Sequence, residues 1–106
     1  MAPSVHAVAA LRVLAEPNRL AIVLQLAESG SVCACDFTAC CSVGQPTISH
    51  HLKVLREAGL IRGQRHGQWI WYELDPEGLK LISGLVGELA SAALNPRSAE
   101  PIAAGR

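Results

Sequence analysis

The sequence predicts a mainly α-helical domain with a β-hairpin wing, a winged helix–turn–helix of about five helices and two strands. Three observations carry that expectation. Apolar residues recur at helical spacing through most of residues 4–58. The stretch SVGQPTISHHLKVLREAG sets a tight turn directly before an amphipathic helix. The segment LIRGQRHGQWIWYEL then shifts from a period of 3.6 to a period of 2. A single strand pair excludes a parallel α/β sheet.

Each element has a local reason. A first helix over residues 4–15 places Val5, Val8, Leu11 and Ala15 at helical spacing. Glu16-Pro17 restarts the chain, since proline suits a first helical turn, and Leu20, Leu24 and Ala27 form the stripe of a second helix ending at Ser29-Gly30. A short third helix is expected over Asp36–Cys41, closing at Val43-Gly44. In the fourth, Gly44 caps, Pro46 enters the first turn, Ile48, Leu52 and Leu55 form the buried stripe, and Gly59 stops the helix. In the hairpin, Ile70, Tyr72 and Leu74 share one face and Trp69 and Trp71 the other, with Arg65-His66-Gly67 at the tip. Asp75-Pro76-Glu77 starts a last helix along Leu79, Ile82, Leu85, Val86 and Leu89, which runs to Asn95-Pro96. Residues 1–95 form one domain and residues 96–106, without periodicity, a mobile tail. There is no internal repeat and no low-complexity tract.

At 106 residues, 50% of them apolar, the chain can build one core. No apolar run approaches the roughly 20 residues of a membrane helix. The opening MAPSVHAVAALRVLA has the look of a signal peptide, but it lacks a basic start and is interrupted by Arg12. A cytoplasmic protein is expected. The formal net charge is zero, yet residues 45–72 hold Lys53, Arg56, Arg62 and Arg65 against Glu57 alone, together with His50, His51 and His66. Positive charge is concentrated where a phosphate backbone would need it.

A recognition helix fits the major groove of B-DNA with its N-terminal residues at the base edges. Here that turn holds Gln45, Thr47, Ser49 and His50, followed by His51. Lys53 and Arg56 lie further along and suit phosphates. On the wing, Arg62, Gln64, Arg65 and His66 can reach the backbone or a minor groove. A solvated basic face and packed histidines are the plainer reading of the same residues.

The run LRVLAEPNRLAIVLQLAES, then VCACDF, then GQPTISHHLKVLREAGLI, then RHGQWIWYEL resembles the ArsR/SmtB family of metal-responsive repressors, of the arsenic-sensing type. The likeness covers about residues 11–75. It implies a homodimer packed through its first and last helices, with two recognition helices in successive major grooves of an imperfect palindrome of operator DNA. Glu16 stands where the family usually has a better capping residue, so a modestly weaker cap is expected.

All four cysteines lie within residues 33–41, in CACDFTACC. Cys33-Ala34-Cys35-Asp36 resembles the family's sensing pattern. Thiolates select soft ions such as As(III), Cd(II) or Pb(II). Residues 33 and 35 of an extended segment point the same way, and a helix N-terminus would lower their thiol pKa. The family's third cysteine falls on Thr38; Cys40 and Cys41 follow instead. Steps of five or six residues turn a helix by about 140° or 240°, so neither lies beside Cys35 unless the helix start is distorted. Each is therefore either a further ligand or a packing residue.

The family's other common metal site uses Asp and His on the last helix, and residues 76–94 hold neither. A structural zinc needs separated ligand pairs, and disulfides at such spacing are strained. A thiol redox switch is the main alternative for these cysteines. A thiol enzyme would need a base beside Cys33 or Cys35, where only Asp36 is adjacent, so the chain is expected not to be an enzyme. The expected mechanism is that sulfurs drawn onto an ion distort the third helix and, through it, the reading helix.

Overall fold

A computed structural model describes residues 4–39 and 44–95. The order is α1 (Val5–Leu14), α2 (Pro17–Ser29), β1 (Val32–Cys33), a 3₁₀ segment (Ala34–Ala39), α3 (Gln45–Glu57), β2 (Ile61–His66), β3 (Trp69–Leu74) and α4 (Pro76–Leu94). This is a winged helix–turn–helix. It differs from expectation in having four α-helices and three strands among the described residues. The third helix is a 3₁₀ segment starting at Ala34, because β1 takes up the residues just before it. The expected tail, residues 96–106, lies outside the described residues, as do Cys40 and Cys41.

The sheet is antiparallel in the order β1-β3-β2. Val32 pairs with Tyr72 and Cys33 with Trp71, while β2 runs from Ile61 opposite Leu74 to His66 opposite Trp69. The hairpin therefore turns on Gly67 and Gln68, two residues beyond Arg65. Gly67 has φ +66°, a conformation that two-residue hairpins require and glycine adopts without strain.

The core gathers Ile22, Leu26, Phe37, Ile48, Leu52, Leu55, Leu60, Ile61 and Tyr72. Phe37, from the 3₁₀ segment, meets Tyr72 with ring centroids 6.3 Å apart and planes at 60°. Such a tilted pair adds about 0.5–1.5 kcal/mol beyond burial. Ile48, Leu52 and Leu55 are buried as expected.

The stripe expected for α2 is on the wrong face, and that of α1 is turned largely outward, away from the core. In α1 the residues turned inward are Ala7 and Ala10, while Val5 is 79% exposed. In α2 the inner set is Ile22, Val23 and Leu26, and Leu20, Leu24 and Ala27 face out. Both helices are apolar around most of their circumference, so periodicity alone could not choose a face. Small alanines let α1 lie close to its neighbours, and the larger side chains are left outside. No residue of α4 is fully buried. Leu79 and Ile82 pack on the core, whereas Leu81, Val86, Leu89 and Leu94 are exposed.

Backbone meets backbone where the end of α3 abuts the start of α4. Gly59, at φ +79°, ends α3, and the Leu60 carbonyl accepts from the Asp75 N–H at 3.0 Å. A Cβ at Gly78 would overlap the Gly59 carbonyl oxygen. Because that neighbour is backbone, it cannot swing away. Gly78→Ala should therefore lower the unfolding free energy by about 1–3 kcal/mol or more, the usual range for overpacking, as read by urea denaturation. A variant as stable as the parent would show that the two elements are not packed this closely.

Candidate functional site

Cys33 ends β1 and Cys35 is the second residue of the 3₁₀ segment. Cys33 is buried and Cys35 exposed. Their sulfurs are 3.2 Å apart, with Cys35 donating to Cys33. A soft ion bonded to two thiolates at about 2.3 Å each holds those sulfurs roughly 3.5 Å apart. The pair thus fits such an ion after a small opening. Among the described residues, no group of three or more His, Cys, Asp or Glu could hold a metal ion. Cys33 and Cys35 could thus supply two ligands, and the described residues bring no third beside them.

Cross-strand partners in an antiparallel ladder lie on one face of the sheet. Cys33, Trp71 and Gln64 therefore form a single rung across three strands. No local pattern in the chain signals this rung. A two-residue strand is too short to show a period, and Val32-Cys33 reads equally well as loop.

The Cys35 thiol is pushed up to about 11. Its hydrogen bond to Cys33 is the largest cause, followed by desolvation and then the Asp36 charge, whose Oδ1 lies 3.8 Å away. This overturns the expectation of a thiolate favoured by a helix N-terminus. A six-residue 3₁₀ segment lacks the dipole of an α-helix, and the neighbouring thiol and carboxylate act in the opposite direction. Alkylation of Cys35 by iodoacetamide should accordingly be slow near neutral pH and rise through about pH 11. In Cys33→Ser the midpoint should move down, because the chief cause of the shift is removed. A parent midpoint near an ordinary cysteine's, about 8.5, would contradict the thiol–thiol contact.

The residues expected at DNA lie on α3 and β2. Gln45 is the first residue of α3, and its side chain is outside the described set. Thr47, Ser49, His50, Lys53 and Arg56 are exposed along the helix, and Arg62, Arg65 and His66 along β2. Arg62 Nε pairs with Glu73 Oε2 at 2.9 Å, both side chains being well exposed. Such a pair is worth little and leaves the guanidinium free to exchange partners.

His51 departs from this pattern. It is buried, with Arg19 Nη1 3.3 Å from its Nδ1 and Glu16 Oε1 3.9 Å from its Nε2. Its position could have been read from the sequence, because Ile48, His51, Leu52 and Leu55 follow the i, i+3, i+4, i+7 rule for a buried face. Glu16 also caps α2 with its side chain, accepting from the Arg19 N–H at 2.8 Å. That bond is the main cause holding its carboxyl below the usual range.

Among the described residues, no helix is long and apolar enough to cross a membrane. The profile of the family described as "Bacterial regulatory protein, arsR family" matches residues 16–62. The arsenical resistance operon repressor of Escherichia coli K12 is 45% identical over 65 residues, 61% of this chain. The chain spans 56% of that repressor's length. A crystal structure described as a possible transcriptional regulator for arsenical resistance is 36% identical, with a TM-score of 0.68 over 76% of this chain and 82% of that one. A solution structure of a homodimeric winged helix–turn–helix DNA-binding domain from Mycobacterium bovis is 25% identical, with a TM-score of 0.65 over 84% and 82%. On the profile match and these relatives, the chain belongs to the arsR family of bacterial regulatory proteins.

Proposed function

We propose that the chain is a metal(loid)-responsive transcriptional repressor whose metal-free dimer holds operator DNA and releases it when As(III), or a related soft ion such as Cd(II) or Pb(II), binds Cys33 and Cys35. The observation that carries this reading is the pair of sulfurs 3.2 Å apart, one of them built into the same sheet as the wing. The names of the relatives, repressors and regulators rather than enzymes, support it.

On this reading Thr47, Ser49 and His50, with Gln45, meet base edges, and Lys53 and Arg56 meet phosphates. Arg62, Arg65 and His66 reach the backbone from the wing. The dimer forms through the outer faces of α1 and α4. Val5, Val86, Leu89 and Leu94 are exposed there, and burying each of them contributes about 1.5–3 kcal/mol. That the Mycobacterium bovis relative is homodimeric supports a dimer. Cys40 or Cys41 completes the ion's ligand set.

The route from ion to duplex differs from the one expected through the third helix alone. A shift of Cys33 acts on its ladder partner Trp71, and β3 carries it to β2 and the wing arginines. Ion and operator then oppose each other, and the coupling is reciprocal.

The same sulfur contact supports a second reading, a redox switch that closes a Cys33–Cys35 disulfide. The strain of a disulfide across so short a spacing weighs against it, whereas the raised Cys35 thiol opposes both readings alike, because the thiolate both oxidises and binds an ion.

Titrating the reduced protein with arsenite should raise sulfur-to-arsenic charge-transfer absorbance and release operator DNA over the same range of concentration. Cys33→Ser/Cys35→Ser should bind DNA like the parent and lose the response. Equal operator affinity with and without arsenite would remove the metal-sensing reading. Release by peroxide in place of arsenite, with loss of two titratable thiols, would favour the redox switch.

A further inference from the structure

We infer that His51 is a positioning residue for DNA reading. It does not touch the duplex but, held by Arg19 and Glu16, fixes the roll of α3 on its apolar bed. This rests on the reading of α3 as the helix that enters the groove.

The geometry assigns each atom a task. Arginine has no acceptor, so the nitrogen facing Arg19 Nη1 at 3.3 Å must be the unprotonated one. His51 therefore carries its proton on Nε2, the side of Glu16 Oε1. The Arg19 guanidinium also donates through Nε to the Val13 carbonyl at 2.7 Å, in the last turn of α1. One planar fork thus joins the end of α1, the start of α2 and the middle of α3. Its backbone N–H is bound by Glu16, which holds the base of the fork in place.

The reason such a joint matters is directional. Ile48, Leu52 and Leu55 seat α3 by apolar contact, which favours burial but is non-directional. A helix on such a bed can roll with little loss of buried area. A half-buried hydrogen bond with one acceptor and one donor permits far less. The C-terminal end of α3 is already held where Gly59 meets Gly78. The Arg19–His51 bond pins the helix about two turns nearer its N-terminus, beside the exposed Thr47 and His50. His50 lies about 100° around the helix from His51, with ring centroids 5.9 Å apart, so the two adjacent histidines divide into one that faces DNA and one that faces the core. Because the fork ends on α1, a proposed dimer helix, it also ties the angle of the reading helix to the dimer frame.

The test uses the full chain and two probes: a duplex selected by the parent protein from a random library, and a random-sequence duplex of the same length. His51→Leu and Arg19→Leu should each weaken binding to the selected duplex by about tenfold, the scale of one lost hydrogen bond to a charged group. Binding to the random duplex and its salt slope should stay at the parent's values, since no phosphate contact is lost. The double variant should lose no more than the larger single loss, because both remove the same joint. His51→Gln, which can accept from Arg19 and donate toward Glu16, should stay within about threefold of the parent. Arg19→Lys, which keeps the charge but not the fork, should behave like Arg19→Leu.

These last two variants decide the matter if either leucine variant fails to fold. Additive losses would overturn the inference. So would a salt slope reduced by about one in His51→Leu, the mark of a phosphate contact, or preference relaxed at a single base pair in His51→Leu alone. A parent that binds no duplex at low salt would sink the repressor reading and this inference together. A parent that binds, with unaffected variants, would sink this inference alone.

Discussion

Two backbone rungs, Val32 to Tyr72 and Cys33 to Trp71, decide where an event at the thiols can be felt. Without them the 3₁₀ segment would be a connector packed on the core through Phe37, and the wing a two-stranded hairpin standing free. With them, the buried cysteine is part of the sheet that carries the wing. The short β1 is therefore the structural hinge of the proposed mechanism. It is long enough to be paired and short enough to be displaced, since few hydrogen bonds hold it.

The reading helix is held in a different way. Its apolar stripe enters the core, its C-terminal turn abuts α4 with no space for a Cβ at Gly78, and His51 meets the Arg19 fork. The molecule divides into a firmly seated α3 and a wing that shares a ladder with the thiols. A repressor needs both properties. Reading bases demands fixed geometry, whereas releasing them demands one element whose position an effector can change. In the proposed mechanism, an effector on the wing's sheet would allow release without disturbing the core that keeps the protein folded.

Much of this was legible in the sequence, and the failures have physical causes. The stripe of α3, the alternation of Ile70, Tyr72 and Leu74 against the tryptophans, and the Asp75-Pro76 start of α4 follow from periodicity and capping, which are local. The face of α2 was misread because a helix that is apolar around much of its circumference carries two competing stripes. Strand β1 was missed because its pairing partner lies some 40 residues further along the chain and its length is below any period. In the candidate site, Cys33 and Cys35 were identified and are adjacent, but the direction of the Cys35 shift was not foreseen. That direction depends on which thiol donates to which, and spacing does not encode it. His51 was grouped with His50 by neighbourhood, although its place in the buried heptad pattern distinguishes the two.

The central claim is that a soft ion on the sulfurs acts on the duplex through the wing, with α3 left in its seat. Amide hydrogen exchange on the reduced dimer, with and without arsenite, tests it directly. The account predicts altered protection at residues 32–33 and across 61–74, with residues 48–57 unchanged. Operator release accompanied by unchanged exchange in the wing, or by loosening confined to residues 48–57, would contradict it.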